Sequence, residues 1–227
     1  MLFRSYNGII LDYEYIVDEN NRRLIAFGFW AGFAGIFLGL LQYYNRINNY
    51  NDISNLKPFN NCNEIINILK DIKIQPKIAI IGYKGRCGKG SVNLLDRLNI
   101  NYSGFSKNEK FDLNEYDIMI NCIYLNQDSD VIFIDNSKEY KNLKIIVDIS
   151  CDIDAYNNPI KLQYHRTNFE NPICKVGKLD VIAIDNLPSL LPKDSSSEFS
   201  EILVELIQDN NIWNKLEYLY FEKIKNV

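Results

Sequence analysis

The chain has 227 residues, of which 47% are hydrophobic and 24% charged, and its formal net charge at pH 7 is -4. These totals suit one large domain, or one complete domain with part of another, and they exclude a disordered protein. The step Arg22-Arg23 is too small a basic patch for a protein that binds a phosphate backbone, so we expect no nucleic-acid partner.

Residues 8 to 27 predict a β-hairpin with its turn at Glu19-Asn20-Asn21. The first run of this hairpin begins almost at Met1, and domains usually begin less abruptly. We therefore expect that an upstream portion is missing. The first residues contain no long apolar region and no small-residue cleavage site, which predicts a cytoplasmic chain with reduced thiols.

The next stretch, LIAFGFWAGFAGIFLGLL at 24 to 41, has no charged residue over a length typical of a membrane span. Arg22 and Arg23 stand before it as a possible cytoplasmic flank, and its glycines include two G-x-x-x-G pairs. On these residues alone, a membrane span and a helix buried inside the protein both remain open. A polar connection follows, and then NEIINILKDI, whose apolar residues recur at helical spacing.

From Lys77 the pattern changes to short apolar runs that alternate with polar or helical stretches. The runs are KIAIIG, DIMINCIYL, KIIVDIS and DVIAID. Such runs are typical of parallel strands buried on both faces, and GSVNLLDRL fits a crossover helix between the first two. The sequence therefore predicts an α/β fold with a doubly wound parallel sheet, followed by C-terminal helices in SEFSEILVELIQ and NIWNKLEYLYFEKIK.

A turn rich in glycine follows the first of these runs, with glycines at 82, 85, 88 and 90 before a helix. Glycine permits a tight turn, a close approach of backbone N–H groups to a pyrophosphate, and close packing of helix on strand. The spacing departs from G-x-G-x-x-G because Lys84 stands at the second glycine, and Tyr83 and Gly90 exclude a Walker A loop. Dinucleotide binding and an ordinary tight turn without a ligand are the two alternatives.

The acidic residue that would hold an adenosine ribose is expected about 20 positions further on. The strand there ends at about Phe105-Ser106, and the next residue is Lys107. Glu109 is the nearest acid and is predicted to lie past the strand. This position therefore does not secure a preference for NAD over NADP.

Five segments in order now identify a family. They are RRLIAFGFWAGFAG, IGYKGRCGKG, DIMINCIYL, VDISCDIDAYNNPI and IAIDNLPSLLPKDSSSEFS. Through nearly all of its length the chain resembles the NAD-dependent, lysine-forming saccharopine dehydrogenases, relatives of alanine dehydrogenase and of the transhydrogenase nucleotide domain. The resemblance implies a step of lysine biosynthesis by the aminoadipate pathway, in which NAD oxidises saccharopine and the resulting imine hydrolyses to lysine and 2-oxoglutarate.

The resemblance also implies two Rossmann-like domains with the active site between them. Residues 1–23 would be a remnant of the first, substrate-binding domain, and residues 24–44 an interdomain helix packed within protein, which favours no membrane span. Residues 45–186 would form the dinucleotide-binding domain, and residues 187–227 C-terminal helices that return to the first domain. With that domain missing, we expect exposed apolar surface on both sets of helices, and self-association.

Site residues follow from the resemblance, position by position. The residues that would contact the cofactor NAD are Arg22, Gly85, Arg86, Tyr124, Ile149, Ile184, Asp185, Asn186 and Leu187. Arg23 would hold a substrate carboxylate, since its forked donors pair with both oxygens. The other residues that would contact the substrate are Phe27, Ser150, Cys151 and Asp152. Without the resemblance, the two arginines of a hairpin turn would be solvated charges.

The cysteines are scattered, without a C-x-x-C pair or a metal-ligand spacing, and with one histidine in the chain no metal site is expected. Cys87 and Cys122 match a pair that can form a disulfide in the family, although two reduced, buried thiols are the alternative that a cytosolic chain favours.

The chain departs from the family at several positions. Ser106 replaces the aspartate of the ribose site, and Asn186 stands where the family has histidine. The family's catalytic lysine and histidine belong to the first domain, upstream of Met1, and His165 lies outside every site motif, so no catalytic residue is assigned. Two hypotheses remain: the cofactor-domain portion of an enzyme, with its first domain absent or on a separate chain, and a catalytically inactive dinucleotide-binding or interaction remnant.

Overall fold

A computed structural model of the chain describes residues 9–123 and 130–224. The strands in these residues are β1 Ile78–Ile81, β2 Ser103–Phe105, β3 Ile118–Asn121, β4 Ile134–Asp135, β5 Ile145–Asp148, β6 Ile160–Lys161, β7 Cys174–Val176 and β8 Leu179–Ile182. A six-stranded sheet has the order β2-β1-β3-β5-β8-β7, parallel except for β7, and β4 pairs with β6 in a separate parallel ribbon. The predicted α/β fold with a doubly wound parallel sheet is confirmed.

The described helices are α1 Gly28–Ile47, α2 Cys62–Lys70, α3 Arg86–Leu98, α4 Pro192–Ile207 and α5 Asn210–Leu219. Short 3₁₀ turns occupy Tyr13–Tyr15, Leu113–Glu115 and Leu187–Leu190, and a π-helical turn occupies Tyr220–Ile224. α3 is the crossover helix that the sequence predicted in GSVNLLDRL, but it leads to the short strand β2 and not directly to β3, the second apolar run.

The central strands separate two apolar layers because side chains alternate across a sheet. In β3, Ile118 and Ile120 belong to the apolar cluster that contains α1, whereas Met119 belongs to the cluster on the opposite face. All four residues of β1, β3, β5 and β8 are buried. Continuous apolar runs in the sequence therefore correspond to strands covered on both faces.

The uncharged stretch of the sequence lies in α1, whose residues 32–40 are all buried. Its glycines allow a close crossing with α3, because a Cβ on Gly32 would lie 1.7 Å from the carbonyl oxygen of Cys87. Reciprocally, a Cβ on Gly90 would lie 1.8 Å from the carbonyl oxygen of Phe29. In the part of the chain that the structure describes, no helix combines the length and the apolar character that a membrane span requires.

The chain packs as two units, one formed by residues up to 27 with those from 195 onward, the other by Gly28–Asp194. The first has its own small core around Ile16, Ile25 and Leu216, and the second contains the sheet. The predicted domain boundaries after residues 23, 44 and 186 stay a prediction.

The predicted hairpin at 8 to 27 is wrong in its first strand. An antiparallel bridge joins Val17 to Arg23 around the predicted turn, with Asn21 in the left-handed region at φ 58°. Before it, Tyr13–Tyr15 forms a 3₁₀ turn, because the Asp12 carboxylate accepts a hydrogen bond from the Glu14 N–H at 2.9 Å and caps a helical start.

Candidate functional site

The sheet has a topological switch point at the carboxyl ends of β1 and β3. The chain leaves β1 through α3 to β2 on one side, whereas β3 lies on the other side of β1. In open α/β sheets, ligands bind in the crevice at such a point. Gly82, which follows β1 at φ +87°, is closely approached from β3, since a Cβ there would lie 2.8 Å from Cγ1 of Ile123.

The glycine turn leads from β1 into an uncapped helix. The Gly85 N–H donates to the Gly82 carbonyl at 2.9 Å, and Gly85 is the N-cap of α3 without a side-chain hydrogen bond. A Cβ on Gly88 would lie 2.3 Å from the Gly82 carbonyl oxygen, so the helix start packs directly on the turn. The first N–H groups of a helix have no partner within it and attract anions. The turn and Arg86, exposed at its end, therefore fit a pyrophosphate.

The carboxyl end of β2 lies beside this turn, because the Gly82 N–H donates to the Phe105 carbonyl at 2.7 Å. The next residue is Ser106, whose N–H donates to Oε2 of Glu109 at 2.6 Å. Glu109 lies past the strand along the chain, as predicted, but its carboxylate turns back to the strand end.

A buried carboxylate organises the carboxyl ends of β3 and β5. Asp148 is fully buried, and its Oδ1 accepts hydrogen bonds from Nδ2 of Asn121 at 2.9 Å and from Oγ of Ser150 at 2.8 Å. Its Oδ2 accepts a bond from the Tyr164 hydroxyl at 2.7 Å, and that hydroxyl accepts one from Asn158 at 3.0 Å. Burial and the Asp148 charge raise the pKa of Tyr164, so the hydroxyl stays a donor.

The predicted substrate loop Ser150–Cys151–Asp152 is attached to this network through Ser150. Cys151 is 2% exposed and has φ 54°, a left-handed conformation, and its thiol donates to the Ala183 carbonyl at 3.4 Å. Burial, and then the charge of Asp148, raise the pKa of the Cys151 thiol to about 11. Partial desolvation and the same charge raise the pKa of Asp152. The loop therefore keeps its thiol buried and protonated, beside the Asp152 carboxyl group at the edge of the sheet.

The predicted stretch Ile184 to Leu187 follows β8 at the same edge of the sheet. Ile184 and Leu187 are buried, whereas Asp185 and Asn186 are exposed. Thr167 fixes the strand exit, since its Oγ1 accepts a bond from the Ala183 N–H at 3.0 Å. The side chains of Asp185 and Asn186 can therefore contact a ligand directly.

Parallel strands thus bring together three groups of predicted site residues. β1, β3, β5 and β8 are neighbours with the same direction, so the segments after β1, β5 and β8 meet at one edge. Those segments contain Gly85, Arg86, Ile149, Ser150, Cys151, Asp152, Ile184, Asp185, Asn186 and Leu187. Tyr124, the prediction after β3, lies outside the described residues.

The remaining predicted residues belong to the other unit. Arg22 is exposed, and its backbone N–H donates to the Asp18 carboxylate at 2.9 Å. Arg23 forms an exposed ion pair with Glu14 at 3.1 Å, and Phe27 stacks on Phe199 with ring centroids 4.6 Å apart. Their roles toward a cofactor or a substrate stay a prediction.

The thiols of Cys87 and Cys122 are both free. Desolvation raises the pKa of the Cys87 thiol, although the Arg86 charge partly opposes this effect. Desolvation also raises the pKa of the Cys122 thiol, to well above its ordinary value. Ser91 lies 4.0 Å from the Cys122 sulfur. The family's disulfide between the two positions stays a prediction.

Two other features lie apart from the crevice. Nδ1 of His165 contacts the Cys174 sulfur at 3.4 Å on β7, the edge strand. A surface cavity of about 680 Å³ opens at the amino ends of β1 and β2 around Gln75, Asn101 and Glu115, on the opposite edge of the sheet. Within residues 9–123 and 130–224, no group of three His, Cys, Asp or Glu side chains could hold a metal ion.

Sequence reasoning missed the residues of the buried network. Asn121 and Asp148 each end an apolar run, in IMIN and IIVD, and a polar residue at that position of a parallel strand faces the ligand edge. That signal was available in the sequence. Tyr164 lies 16 residues beyond Asp148 in an irregular segment, and only the fold brings the two together.

No family model matches the chain. Its sequence is similar to the NAD(+)-dependent, L-lysine-forming saccharopine dehydrogenase of Schizosaccharomyces pombe, with 31% identity over 96% of this chain and 68% of the relative. The enzyme of the same name from Candida glabrata is 33% identical over 96% of this chain and 67% of the relative. In fold, the chain resembles an L-alanine dehydrogenase structure with a TM-score of 0.53, at 14% identity, over 86% of this chain and 57% of that one.

Proposed function

Because the chain belongs to the family of NAD(+)-dependent, L-lysine-forming saccharopine dehydrogenases, we propose that it binds NAD and takes part in the oxidative cleavage of saccharopine to lysine and 2-oxoglutarate. The observation that carries the proposal is the glycine turn at the switch point of the parallel sheet, which ends in the uncapped start of α3. An oxidoreductase of this family needs such a dinucleotide site.

The cofactor would lie along the carboxyl edge of the sheet, where it supplies an acceptor for the hydride of the substrate. The N–H groups at the start of α3 and the Arg86 side chain would bind its pyrophosphate. Ile149 and the stretch from Ile184 to Leu187, at the ends of β5 and β8, would border its nicotinamide. These assignments are supported by their positions at one edge of the sheet.

The substrate would meet the loop after β5. Asp148 holds Ser150 in place, so the loop offers a hydroxyl and the Asp152 carboxyl group to a polar amino acid. In the other unit, the resemblance to the family supports Arg23 as the ligand of a carboxylate, through two parallel hydrogen bonds, and Phe27 as an aromatic contact. Arg23 is exposed and forms an ion pair with Glu14 at 3.1 Å, so a substrate carboxylate would compete with the Glu14 carboxylate for it.

We propose that residues 28–194 are the cofactor-binding part of the enzyme, and that the acid and base of the reaction come from residues outside these 227. Those residues could belong to a longer polypeptide or to a second chain. Cleavage of the substrate needs a proton donor and acceptor at the reacting nitrogen. The one histidine of the chain contacts Cys174 on the edge strand β7, which does not suit that role.

The test is saccharopine-dependent formation of NADH by the purified chain, followed by absorbance, beside its thermal unfolding with and without NAD. We expect no turnover by the chain alone and a higher melting temperature with NAD, since a ligand that binds only the folded state stabilises it. At 100 times the dissociation constant the stabilisation is about 2.7 kcal/mol. The absence of any shift would refute the cofactor site, and turnover by the chain alone would refute the external acid and base.

The second candidate is a dinucleotide-binding protein without catalysis. Asn186 favours it, because this exposed residue after β8 has no titratable side chain where the family has histidine. Addition of the first domain of a family member as a separate chain distinguishes the two. Restored turnover indicates a split enzyme, whereas NAD binding without turnover indicates the inactive form.

A further inference from the structure

The carboxyl end of β2 is the place where dinucleotide-binding folds recognise the adenosine ribose. In those folds an Asp or Glu at this strand end binds the ribose 2′-hydroxyl of NAD. Here β1 and β2 are parallel neighbours with Ile81 opposite Phe105, and the Gly82 N–H donates to the Phe105 carbonyl at 2.7 Å. The strand end is therefore directly beside the glycine turn, but its next residue, Ser106, has no carboxylate.

Glu109 supplies a carboxylate to this strand end from three residues further along the chain. Its Oε2 accepts a hydrogen bond from the Ser106 N–H at 2.6 Å, and its own N–H donates to the Ser106 carbonyl at 3.1 Å. These two bonds close a turn that holds the carboxylate against the last residues of β2. An ionised carboxylate has about four acceptor positions. In the described part of the chain, the backbone of Ser106 is the one group bonded to it, through Oε2.

We propose that Glu109 is the specificity-determining residue of the cofactor site: its carboxylate accepts a hydrogen bond from the 2′-hydroxyl of the adenosine ribose and excludes the 2′-phosphate of NADP. The proposal rests on the proposed NAD-binding function. Ser106 leaves room at the strand end for this hydrogen bond, because its hydroxymethyl group is smaller than the aspartate side chain that the family has at this position.

The charges around Glu109 decide between the two cofactors. Lys107 and Lys110 are exposed on the same turn, and a lysine near this position can attract a 2′-phosphate. The carboxylate prevails because its bond to the Ser106 N–H fixes it at the strand end, whereas the structure gives neither lysine a bond to a described residue. Free, solvated lysines are screened by salt, and a fixed carboxylate repels a phosphate in contact with it.

The experiment measures the affinity of the full chain for NAD, NADP and 2′-deoxyadenosine NAD by titration calorimetry. Glu109→Gln removes the charge and keeps an oxygen that can accept the Ser106 N–H. For the wild type we expect NAD to bind at least tenfold more tightly than either analogue. For Glu109→Gln we expect about a tenfold loss of NAD affinity, as for a hydrogen bond to a charged group, and equal affinities for NAD and its 2′-deoxy analogue.

Two further variants separate recognition from stabilisation of the turn. Glu115→Gln makes the same chemical change in the 3₁₀ turn before β3, at the opposite edge of the sheet, and should leave all three affinities unchanged. Ser106→Asp in the Glu109→Gln background should restore the preference for NAD, because it returns a carboxylate to the strand end. A residue that only stabilised the turn would not distinguish NAD from its 2′-deoxy analogue.

Three results would overturn the proposal. Wild-type protein that binds NADP more tightly than NAD, or Glu109→Gln that still discriminates against 2′-deoxyadenosine NAD, would refute Glu109 as the ribose ligand while leaving dinucleotide binding intact. Wild-type protein that binds none of the three dinucleotides would refute both this inference and the cofactor part of the proposed function.

Discussion

At the scale of single residues, Asp148 connects the carboxyl end of β3 to the loop after β5, which is predicted to contact the substrate. It ends β5, receives hydrogen bonds from Asn121 of β3, Ser150 and Tyr164, and has no exposed surface. A buried charge is stable only when it is hydrogen-bonded, and three donors satisfy this one. The geometry of Ser150 therefore depends on a side chain that need not touch the ligand.

Asp148→Asn should destabilise the chain by about 2–4 kcal/mol, since an amide N–H₂ would face donors that now have an acceptor. Urea unfolding measures this change. Asp154→Asn is the matched control, because its carboxylate is exposed and pairs with exposed Arg166, and it should leave the unfolding midpoint unchanged. Equal midpoints for wild type and Asp148→Asn would contradict the role of the network.

Cys151 makes stability depend on pH in the alkaline range. Its pKa rises from 9.0 to about 11 in the folded chain, so the unfolded chain loses this proton first as the pH increases. The contribution of Cys151 is complete below pH 9 and is lost as the pH rises toward 11. Urea unfolding between pH 9 and pH 11 should show a smaller loss of stability for Cys151→Ser than for wild type.

The control for the thiol is Cys62→Ser, a change at the start of α2 where the side chain is only half-buried. This variant should follow the wild-type curve. If Cys151→Ser also follows the wild-type curve, the Cys151 thiol is not the group that lowers stability between pH 9 and pH 11.

Residue-scale prediction from sequence succeeded where a position relative to a strand end was enough. Glu109 was correctly placed past β2, and the apolar runs were correctly assigned to parallel strands, whereas the site residues after those runs came from the family resemblance and stay a prediction. The return of the Glu109 carboxylate to Ser106 and the bond between Tyr164 and Asp148 were not predictable, because both depend on the conformation of irregular segments.

At the scale of elements, the crossing of α1 and α3 explains the glycines that resembled a membrane motif. Gly32 faces the Cys87 carbonyl and Gly90 faces the Phe29 carbonyl, so each helix offers a glycine to the backbone of the other. Gly39 of α1 lies similarly against Val147 of β5. The same small-residue spacing serves helix packing in water and in lipid, and the sequence alone could not distinguish them.

Gly32→Ala should destabilise the chain by about 3 kcal/mol or more, because its Cβ would overlap backbone that cannot move without separating the helices. Gly28→Ala is the control on the same helix, since its Cβ would meet the Cys87 sulfur at 3.1 Å and the flexible Arg86 side chain at 3.4 Å. Thermal unfolding should show a large decrease for the first and a change within about 1 kcal/mol for the second. Similar melting temperatures for the two variants would contradict the close crossing.

Element prediction was accurate for long or fully apolar segments and failed for short ones. β1, β3, β5, β8 and the C-terminal helices were recognised from their patterns. β4 and β6 have two residues each, and β7 has three residues in a mostly polar segment, so none has enough residues to show a period. The first strand of the predicted hairpin does not form, because Asp12 caps a 3₁₀ turn at that position.

At the scale of the whole molecule, several exposed apolar side chains lie on the C-terminal helices. Val204 and Ile207 of α4 and Trp213 and Tyr218 of α5 are each more than a third exposed. The expectation of exposed apolar surface on the helix at 24–44 was wrong for its centre, since residues 32–40 of α1 are buried. Apolar side chains exposed on a helix can contribute to an interaction surface.

The chain should therefore self-associate at micromolar concentration, and Val204→Asp should weaken that association about tenfold, because it replaces an exposed apolar side chain with a charge. Sedimentation velocity over a range of concentrations measures the effect. Glu201→Gln on the same helix is the control and should associate like wild type, since its side chain is exposed and already polar. A monomer at every concentration would contradict the prediction.

The burial of α1 has a consequence for the synthesis of the protein. Gly39 packs on Val147, which leaves the ribosome about 100 residues later. At a rate of synthesis of roughly 5–20 residues per second, the interval between the synthesis of Gly39 and that of Val147 is about 5–20 s. During translation this apolar segment is therefore complete long before the strand on which it packs, and α3, synthesised in between, can cover part of it before that strand is made.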